Sequence, residues 1–366
     1  MALGSARVSR RTAIVGGGAA VVIAAGGFRA ASSRVGARVA CQARELGQQF
    51  GAGSPRAAPD WQFATANPVL DVDSASEWEN SAVFDPCVVR VPEGGLAMWY
   101  TTRGSRPDSV QLALDPSGSG DTWQRVSATP VLTPDPPERP AYEHLTRPSV
   151  LRTPNGWRMW YSVVGPDQDA GACWIGTATS PDGLSWQKHG QPVLRPTQPW
   201  EARAVQAPNV WYEAESDRYL MWYSGGEVYE PDAVGLATSS DGVTWTPDPR
   251  NPIFVASGGW EDYKIGSFQA RRVGDWYYAF YNAFSRQPFR SQVGLARSRD
   301  GATGWERHPD NPMLRPSLGC AWDAAMVYKP TALWDEARQR WDVWFNASAQ
   351  LNGTERIGHA WRIGLW

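Results

Sequence analysis

Three charged side chains stand at equivalent places in a repeated pattern, each directly before a proline. They are Asp85 before Pro86, Arg147 before Pro148 and Lys329 before Pro330. Two cations beside one carboxylate would lower the pKa of that carboxylate and could attract an anionic ligand. The plainer alternative is a salt bridge among these side chains with no ligand. Either interpretation requires a fold that brings three distant parts of the chain together.

A block of about sixty residues that recurs five times would supply that fold. Its first marker is a Pro followed by two apolar residues, with successive spacings of 62, 62, 60 and 60 residues. The copies are Pro68-Val69-Leu70, Pro130-Val131-Leu132, Pro192-Val193-Leu194, Pro252-Ile253-Phe254 and Pro312-Met313-Leu314. A second marker is an aromatic strand, as in Met98-Trp99-Tyr100, Met159-Trp160-Tyr161 and Met221-Trp222-Tyr223. A third is a turn that closes on Trp, as in Ser180-Pro181-Asp182-Gly183-Leu184-Ser185-Trp186.

Each block predicts four short strands, because the Asp-Gly turns provide the backbone angles that a hairpin requires. Four strands per unit, repeated radially, are typical of a propeller blade. The sequence therefore predicts an all-β, five-bladed β-propeller over residues 67–366. The predicted blades are about 77–132, 142–194, 200–254, 260–314 and 322–366, with residues 67–70 completing the last blade and hiding two sheet edges.

The internal alignment also predicts which residues face the central channel or its mouth. Directly before the marker proline of each innermost strand stand Asp85, Arg147, Ala207, Ser267 (where Phe268 replaces the proline) and Lys329. One residue earlier stand Phe84, Thr146, Gln206, Gly266 and Tyr328.

These markers give residues 67–366 a resemblance to the five-bladed propeller glycosidases. The resemblance is to the arabinanase and β-xylosidase group, glycoside hydrolase family 43, and to the invertase-like group. It implies a central pocket in which three carboxylates act on an oligosaccharide, one as a protonated acid and one as a base or nucleophile. Asp85 matches the base or nucleophile position, with a turn or capping aspartate as the alternative.

The other two carboxylate positions depart from the family pattern. Arg147-Pro148 stands where the resemblance implies Asp-Pro, and Gln206 stands where it implies the acid. Since Gln cannot donate a proton as a general acid, Glu143 and Glu227 are predicted as replacement acids, with exposed loop carboxylates as the alternative. Arg147, Gln206, Asp262 and Lys329 are predicted to position substrate.

Four Trp-acid pairs recur across the blades and are for that reason predicted to be structural. They are Trp78-Glu79, Trp200-Glu201, Trp260-Glu261 and Trp322-Asp323. Asp262 departs from the repeat by following Glu261, and this is why it is kept among the substrate-binding candidates.

Composition excludes several other classes of function. The net charge of −2 offers no basic stripe for nucleic acid. The four cysteines, Cys41, Cys87, Cys173 and Cys320, form no C-x-x-C pair, so buried thiols are predicted and neither a metal nor a cofactor is expected.

Residues 1–45 are predicted to be a targeting segment, followed by a linker over 46–66. No Asp or Glu occurs in the first 44 residues, and an apolar stretch, Thr12 to Phe28, follows Arg10 and Arg11. A charged start before a short apolar run is typical of a signal peptide, here of twin-arginine type. The apolar run itself is short for a membrane span. An Arg-rich plastid transit peptide and an untargeted tail are the alternatives.

Two functional hypotheses follow. The first is a glycoside hydrolase or related glycosyl-transferring enzyme that acts on an oligosaccharide in the central pocket. The second is a propeller that has lost the acid and binds a glycan or another small ligand, anionic if Arg147 and Lys329 are free.

Overall fold

The computed structural model of the chain describes residue 58 and residues 60–92, 94–134, 144–165, 172–228, 231–317 and 321–366. The predicted targeting segment, Cys41, Cys320 and Glu143 lie outside these residues. Among the residues that are described, none belongs to a helix long and apolar enough to cross a membrane.

The described chain is built from β-strands, with one short 3-10 helix at Pro199–Glu201. A short strand, β1 (Trp61–Phe63), comes first. The first meander is β2 (Ala82–Arg90), β3 (Leu96–Arg103), β4 (Ser109–Asp115) and β5 (Gln124–Arg125), and the second is β6 (His144–Thr153), β7 (Gly156–Val164), β8 (Cys173–Ser180) and β9 (Gln187–Lys188). The third is β10 (Ala204–Glu213), β11 (Arg218–Gly226), β12 (Pro231–Ser239) and β13 (Thr246–Pro247), with β14 (Phe254–Val255) beside β12. The fourth is β15 (Lys264–Val273), β16 (Trp276–Arg286), β17 (Phe289–Ser298) and β18 (Glu306–Arg307), and the last is β19 (Met326–Asp335), β20 (Arg340–Ser348) and β21 (Glu355–Ile363).

Each meander is antiparallel, and its strands pair in chain order. The N-terminal strand completes the last meander, because β1 pairs with β21 in the register Trp61 to Arg362. Leu70 also bridges Ile357 of β21. Residues 61–63 fall inside the segment predicted to be a linker, and a three-residue strand is too short for its alternation to stand out in sequence.

The Pro-apolar-apolar markers all have the same structural role. Each places its last apolar residue beside the third strand of its own meander, where Leu132 bridges Val110, Leu194 bridges Ile175 and Leu314 bridges Val293. This common pairing explains why the marker recurs with a nearly constant spacing.

All five innermost strands, β2, β6, β10, β15 and β19, contain a β-bulge at the same place. In β2 the register shifts between Phe84 and Cys87, so that Pro86 lies inside the bulge rather than near the start of the strand. A proline cannot donate to the strand ladder, and a bulge removes that requirement. Four bulge residues take a positive φ without being glycine: Asp85 at 53°, Arg147 at 56°, Ala207 at 51° and Lys329 at 49°.

Neighbouring meanders are joined by tryptophan side chains from their second strands. The indole N–H of Trp99 donates to the Gly183 carbonyl of the next meander at 3.1 Å, and Trp160 donates to Gly242 at 2.8 Å. Trp222 repeats this contact with Gly301 at 2.7 Å. Trp344 of the last meander donates to Gly120 of the first at 2.9 Å, whereas Phe280 of the fourth makes a ring contact with Trp341 of the last and no indole hydrogen bond.

Candidate functional site

The five bulges converge on a small cavity. It is lined by Asp85, Pro86, Cys87, Arg147, Pro148, Ser149, Ala207, Pro208, Asn209, Ser267, Phe268, Gln269, Lys329 and Pro330. The sequence alignment had placed the residues before the marker proline at the channel, and all five line this cavity. Its volume is about 50 Å³, which holds a water or two and no sugar ring.

A larger funnel of about 850 Å³ opens from this floor and shares Arg147, Ala207, Ser267 and Lys329 with it. Its wall carries four of the five residues that stand one position earlier, namely Phe84, Thr146, Gly266 and Tyr328. Arg103, Asp108, His144, Asn282 and Glu355 also line it. A volume in this range accommodates a small-molecule ligand.

Asp85 is the carboxylate at the floor, and its side chain is 3% exposed. Its Oδ1 lies 3.0 Å from the Lys329 ammonium, and its Oδ2 accepts a hydrogen bond from the Thr101 hydroxyl at 3.1 Å. Lys329 also lies 4.6 Å above the Phe84 ring. Lys329 and Asp85 therefore form the ion pair that the plainer alternative predicts, but Arg147 does not join it.

A buried polar residue follows each aromatic triplet and holds a bulge of the adjacent meander. The Thr101 hydroxyl accepts the Arg147 N–H at 3.1 Å, and the Ser162 hydroxyl accepts the Ala207 N–H at 2.8 Å. The Asn346 side chain of the last meander accepts the Asp85 N–H at 3.4 Å. These bonds stabilise the bulge residues in their positive-φ conformation, which costs roughly 1–3 kcal/mol of backbone strain per residue.

Arg103 organises two further carboxylates on the funnel wall. It donates to Asp108 through Nε and through a second nitrogen at 2.7 Å, and it lies 3.9 Å from Glu355. Burial would raise the pKa of Asp108, but the hydrogen bonds of His144 and Arg103 outweigh it and lower that pKa. Glu355 also accepts from the Asn346 amide at 2.7 Å.

Tyr328 lines the same funnel as Glu355. Burial, together with the negative charges of Glu355 and Asp85, raises the pKa of Tyr328 well above its usual value. The phenol is therefore neutral at physiological pH and remains a hydrogen-bond donor.

No family model matches the sequence, and a search of curated proteins returns no significant match. Solved structures do match. A structure described as "The GH130 family of mannoside phosphorylases contains glycoside hydrolases that target beta-1,2 mannosidic linkages in Candida mannan" aligns with a TM-score of 0.64 at 17% identity, over 85% of this chain and 96% of that one. A glycosyl hydrolase from Bacteroides ovatus aligns with a TM-score of 0.64 at 16% identity, over 84% and 97%. The fold is shared with solved glycoside hydrolases.

The same glycoside hydrolase-like fold also occurs in a protein described by another reaction. An N-acetylgalactosamine deacetylase from F. plautii, solved in complex with blood group B trisaccharide, aligns with a TM-score of 0.61 at 18% identity, over 84% of this chain and 96% of that one. At such identities the likeness concerns the fold, and the reaction has to be argued from the residues of the site.

Within this fold, Gln206 departs from the other residues of its set. Its side chain is fully buried and donates to the Glu227 carbonyl at 2.7 Å, while its Oε1 has no hydrogen-bond partner in the described structure. Gln206 lines neither the floor nor the funnel. The substrate-positioning role predicted for it is not supported by this placement, because its amide is buried and donates to the Glu227 backbone carbonyl.

Glu227 and Asp262 also lie apart from the funnel lining. The Glu227 carboxylate is 53% exposed and lies 3.3 Å from Arg203. Asp262 accepts the Arg286 N–H at 2.9 Å on an exposed surface. Glu143 lies outside the described residues, but the adjacent His144 lines the funnel and accepts the Asp108 N–H at 3.1 Å through Nδ1.

The recurring Trp-acid pairs have structural contacts. Glu79, Glu201 and Glu261 are buried and accept hydrogen bonds from the tyrosines that end the aromatic triplets. The bonds are Tyr100 to Glu79 at 2.9 Å, Tyr223 to Glu201 at 2.7 Å and Tyr281 to Glu261 at 2.9 Å. In the last meander Phe345 replaces the tyrosine, and Asp323 instead accepts from the Ser317 hydroxyl.

Sequence reasoning missed Arg103, Asp108 and Glu355. They lie near the turns between second and third strands, where the five copies share no pattern. A signal did exist for Asn346, because a polar residue follows every aromatic triplet: Thr101, Ser162, Ser224, Asn282 and Asn346.

Proposed function

We propose that this protein is a glycoside hydrolase, or a related glycosyl-transferring enzyme, that acts on an oligosaccharide in the funnel. The observation that carries the proposal is the position of Asp85. It is a buried carboxylate at the floor of a funnel of about 850 Å³, where five equivalent bulges meet. The solved glycoside hydrolases that share the fold support a sugar as the ligand.

We infer that the five meanders are the blades of a five-bladed propeller, with β1 and residues 67–70 completing the last. Indole hydrogen bonds join the first, second, third and last meanders each to the next, and the Phe280 ring of the fourth packs 5.3 Å from the Trp341 ring of the last. These contacts, including Trp344 to Gly120, support a closed ring. The resemblance to the arabinanase, β-xylosidase and invertase-like groups then gives Asp85 the role of base or nucleophile.

In this proposal Lys329 is the ion-pair partner of Asp85 at 3.0 Å, an arrangement that suits a base or nucleophile. Two acids are candidates. Glu143 precedes a funnel residue, whereas Glu355 is already in the funnel wall and is connected to the Asp85 backbone through Asn346. The exposed Glu227 would need its loop to move inward.

The test is a hydrolysis screen of the purified protein against aryl-glycosides and plant or algal polysaccharides. Asp85→Asn is expected to lose activity by roughly 10²-fold or more. Asp262→Asn, which removes a carboxylate outside the funnel, is the matched control and is expected to retain activity. Equal activity of Asp85→Asn and the native protein would remove Asp85 from the mechanism.

A second candidate is a non-catalytic glycan-binding propeller. One observation favours it: each described carboxylate of the floor and funnel, Asp85, Asp108 and Glu355, contacts Lys329 or Arg103. A carboxylate beside a cation is a poor proton donor. Measurable sugar binding without any hydrolysis, unchanged by Asp85→Asn, would support this candidate.

For the N-terminal part we propose export or plastid targeting, based on Arg10, Arg11 and the apolar stretch that follows them. N-terminal sequencing of the protein from its native cells is the test. A mature start beyond residue 28 supports targeting, and a start at Met1 contradicts it.

A further inference from the structure

We propose that Arg147 is an anion receptor in the funnel and that the glycan recognised there carries a negatively charged group, a carboxylate or a sulfate. This inference rests on the proposed function, since it specifies the chemical class of the sugar. Its basis is a difference between Arg147 and the other two cations of the site.

Lys329 and Arg103 are both engaged by carboxylates. Lys329 binds Asp85 at 3.0 Å, and Arg103 contacts Asp108 at 2.7 Å and Glu355 at 3.9 Å. Neither cation is therefore available to a charged ligand without giving up an internal partner.

Arg147 has no such carboxylate. Within the described parts of the chain it forms no ion pair, and its guanidinium donates one side-chain hydrogen bond, from Nη1 to the Thr146 hydroxyl at 3.2 Å. A guanidinium has five N–H donors, so most of its donor capacity is unused. The residue is half-buried, and partial burial of a charge is costly unless solvent or a ligand compensates it.

The position of Arg147 also suits a ligand. It lines both the floor and the funnel, and its backbone N–H is fixed by Thr101 at 3.1 Å. The bulge residues at the equivalent places in the third and fourth meanders are Ala207 and Ser267, and both line the funnel. These small side chains leave space beside the guanidinium that longer residues would fill.

The charges of the funnel are consequently separated. Two carboxylates share Arg103 on one part of the wall, while Arg147 is uncompensated on another. The planar fork of a guanidinium binds a carboxylate or a sulfate through two parallel N–H bonds. A sugar with a single anionic group could place that group on Arg147 and its hydroxyls toward Asp108 and Glu355.

The experiment measures binding of matched sugar pairs by calorimetry at low ionic strength. One pair is digalacturonic acid and its methyl ester, and the other is glucose 6-sulfate and glucose, with inorganic phosphate as a separate probe. The native protein is expected to prefer the anionic member of at least one pair by roughly tenfold or more. The pair that shows the preference distinguishes a carboxylate from a sulfate.

Three variants assign the effect to this side chain. Arg147→Gln should abolish the preference, so that the charged and neutral members of a pair bind with equal affinity, and Arg147→Lys should retain part of it. Arg250→Gln is the control, because Arg250 is exposed and pairs with Asp248 away from the funnel lining. The preference should be unchanged in this control.

Several results would overturn the inference: equal affinity for the charged and neutral members of both pairs, a preference that survives Arg147→Gln, binding of phosphate with no anionic sugar, or no binding of any probe. Failure of the inference and failure of the proposed enzyme are distinguishable. Hydrolysis of neutral glycans that depends on Asp85 but not on Arg147 would keep the enzyme and remove the anion receptor. Arg147-dependent binding without hydrolysis would keep the anion receptor and remove the enzyme.

Discussion

Lys329 Nζ lies 3.0 Å from Asp85 Oδ1, so a buried ion pair joins the innermost strands of the first and last meanders at the floor of the funnel. Both residues occupy the same bulge position and take similar positive φ angles of 53° and 49°. One pair thus serves two purposes, since it supplies a cation to a buried carboxylate and connects the two ends of the repeated series.

Lys329→Met should therefore lower the free energy of unfolding by roughly 3 kcal/mol, because it leaves the Asp85 carboxylate buried without its cation. The double variant Asp85→Asn with Lys329→Met should recover much of this loss. Denaturant unfolding of the two single variants and the double variant measures the coupling. Additive effects would show that the two side chains do not stabilise each other.

Gln206→Glu is expected to fold but not to restore a general acid. The new carboxyl would take the place of an amide that points to the Glu227 carbonyl, and only its protonated form can donate there. Burial raises the pKa of such a group, so the variant should lose stability as pH rises above the value for an unfolded glutamic acid. Thermal unfolding at pH 5 and pH 8 tests this against the native protein. A clear gain in hydrolysis would instead place this side chain in the mechanism.

Trp344→Phe should weaken the contact that joins the last meander to the first. It removes one indole hydrogen bond, to Gly120 at 2.9 Å, at a cost of about 1 kcal/mol. Trp222→Phe removes the corresponding bond to Gly301 and is the matched control. Hydrogen exchange should become faster around residues 61–70 in the first variant only, because Ala64, Val69 and Leu70 pack in the same buried cluster as Trp344. Equal exchange in both variants would contradict a special role for this contact.

His359 is expected to make stability depend on pH. It is buried, with Nδ1 2.7 Å from Asp121 and Nε2 3.2 Å from Asp342, and Asp342 is also paired with Arg340. Burial lowers the pKa of His359, but the hydrogen bonds and charges of the two aspartates outweigh it and raise that pKa above 6.5. Protonated His359 therefore stabilises the fold fully below pH 6.5, and this contribution is lost as pH rises through the raised value.

The measurement is the melting temperature of the native protein and of His359→Gln between pH 5 and pH 9. The melting temperature of the native protein should exceed that of the variant at low pH, and this difference should shrink as pH rises. A constant difference across this range would show that the imidazole does not titrate on unfolding.

Much of the architecture follows from local patterns in the sequence. The Asp-Gly turns, the aromatic triplets and the Pro-apolar-apolar markers each depend on a few adjacent residues, and they repeat because every meander makes the same contacts. Their alignment predicted five of the residues that line the floor, including Asp85, Arg147 and Lys329. The limit of this local information is visible at Trp61–Phe63, where a strand depends on pairing with β21 at the other end of the chain.

By itself, then, the sequence determined the repeated strand order and the set of five equivalent positions that meet at the floor. Only the tertiary structure decided which side chains meet which. It paired Asp85 with Lys329 and left Arg147 without a carboxylate, it turned Gln206 toward Glu227, and it brought Asp108 and Glu355 to Arg103. The physical reason is that strand alternation and turn chemistry act over a few residues, whereas these contacts arise where different meanders and their unpatterned turns come together in space.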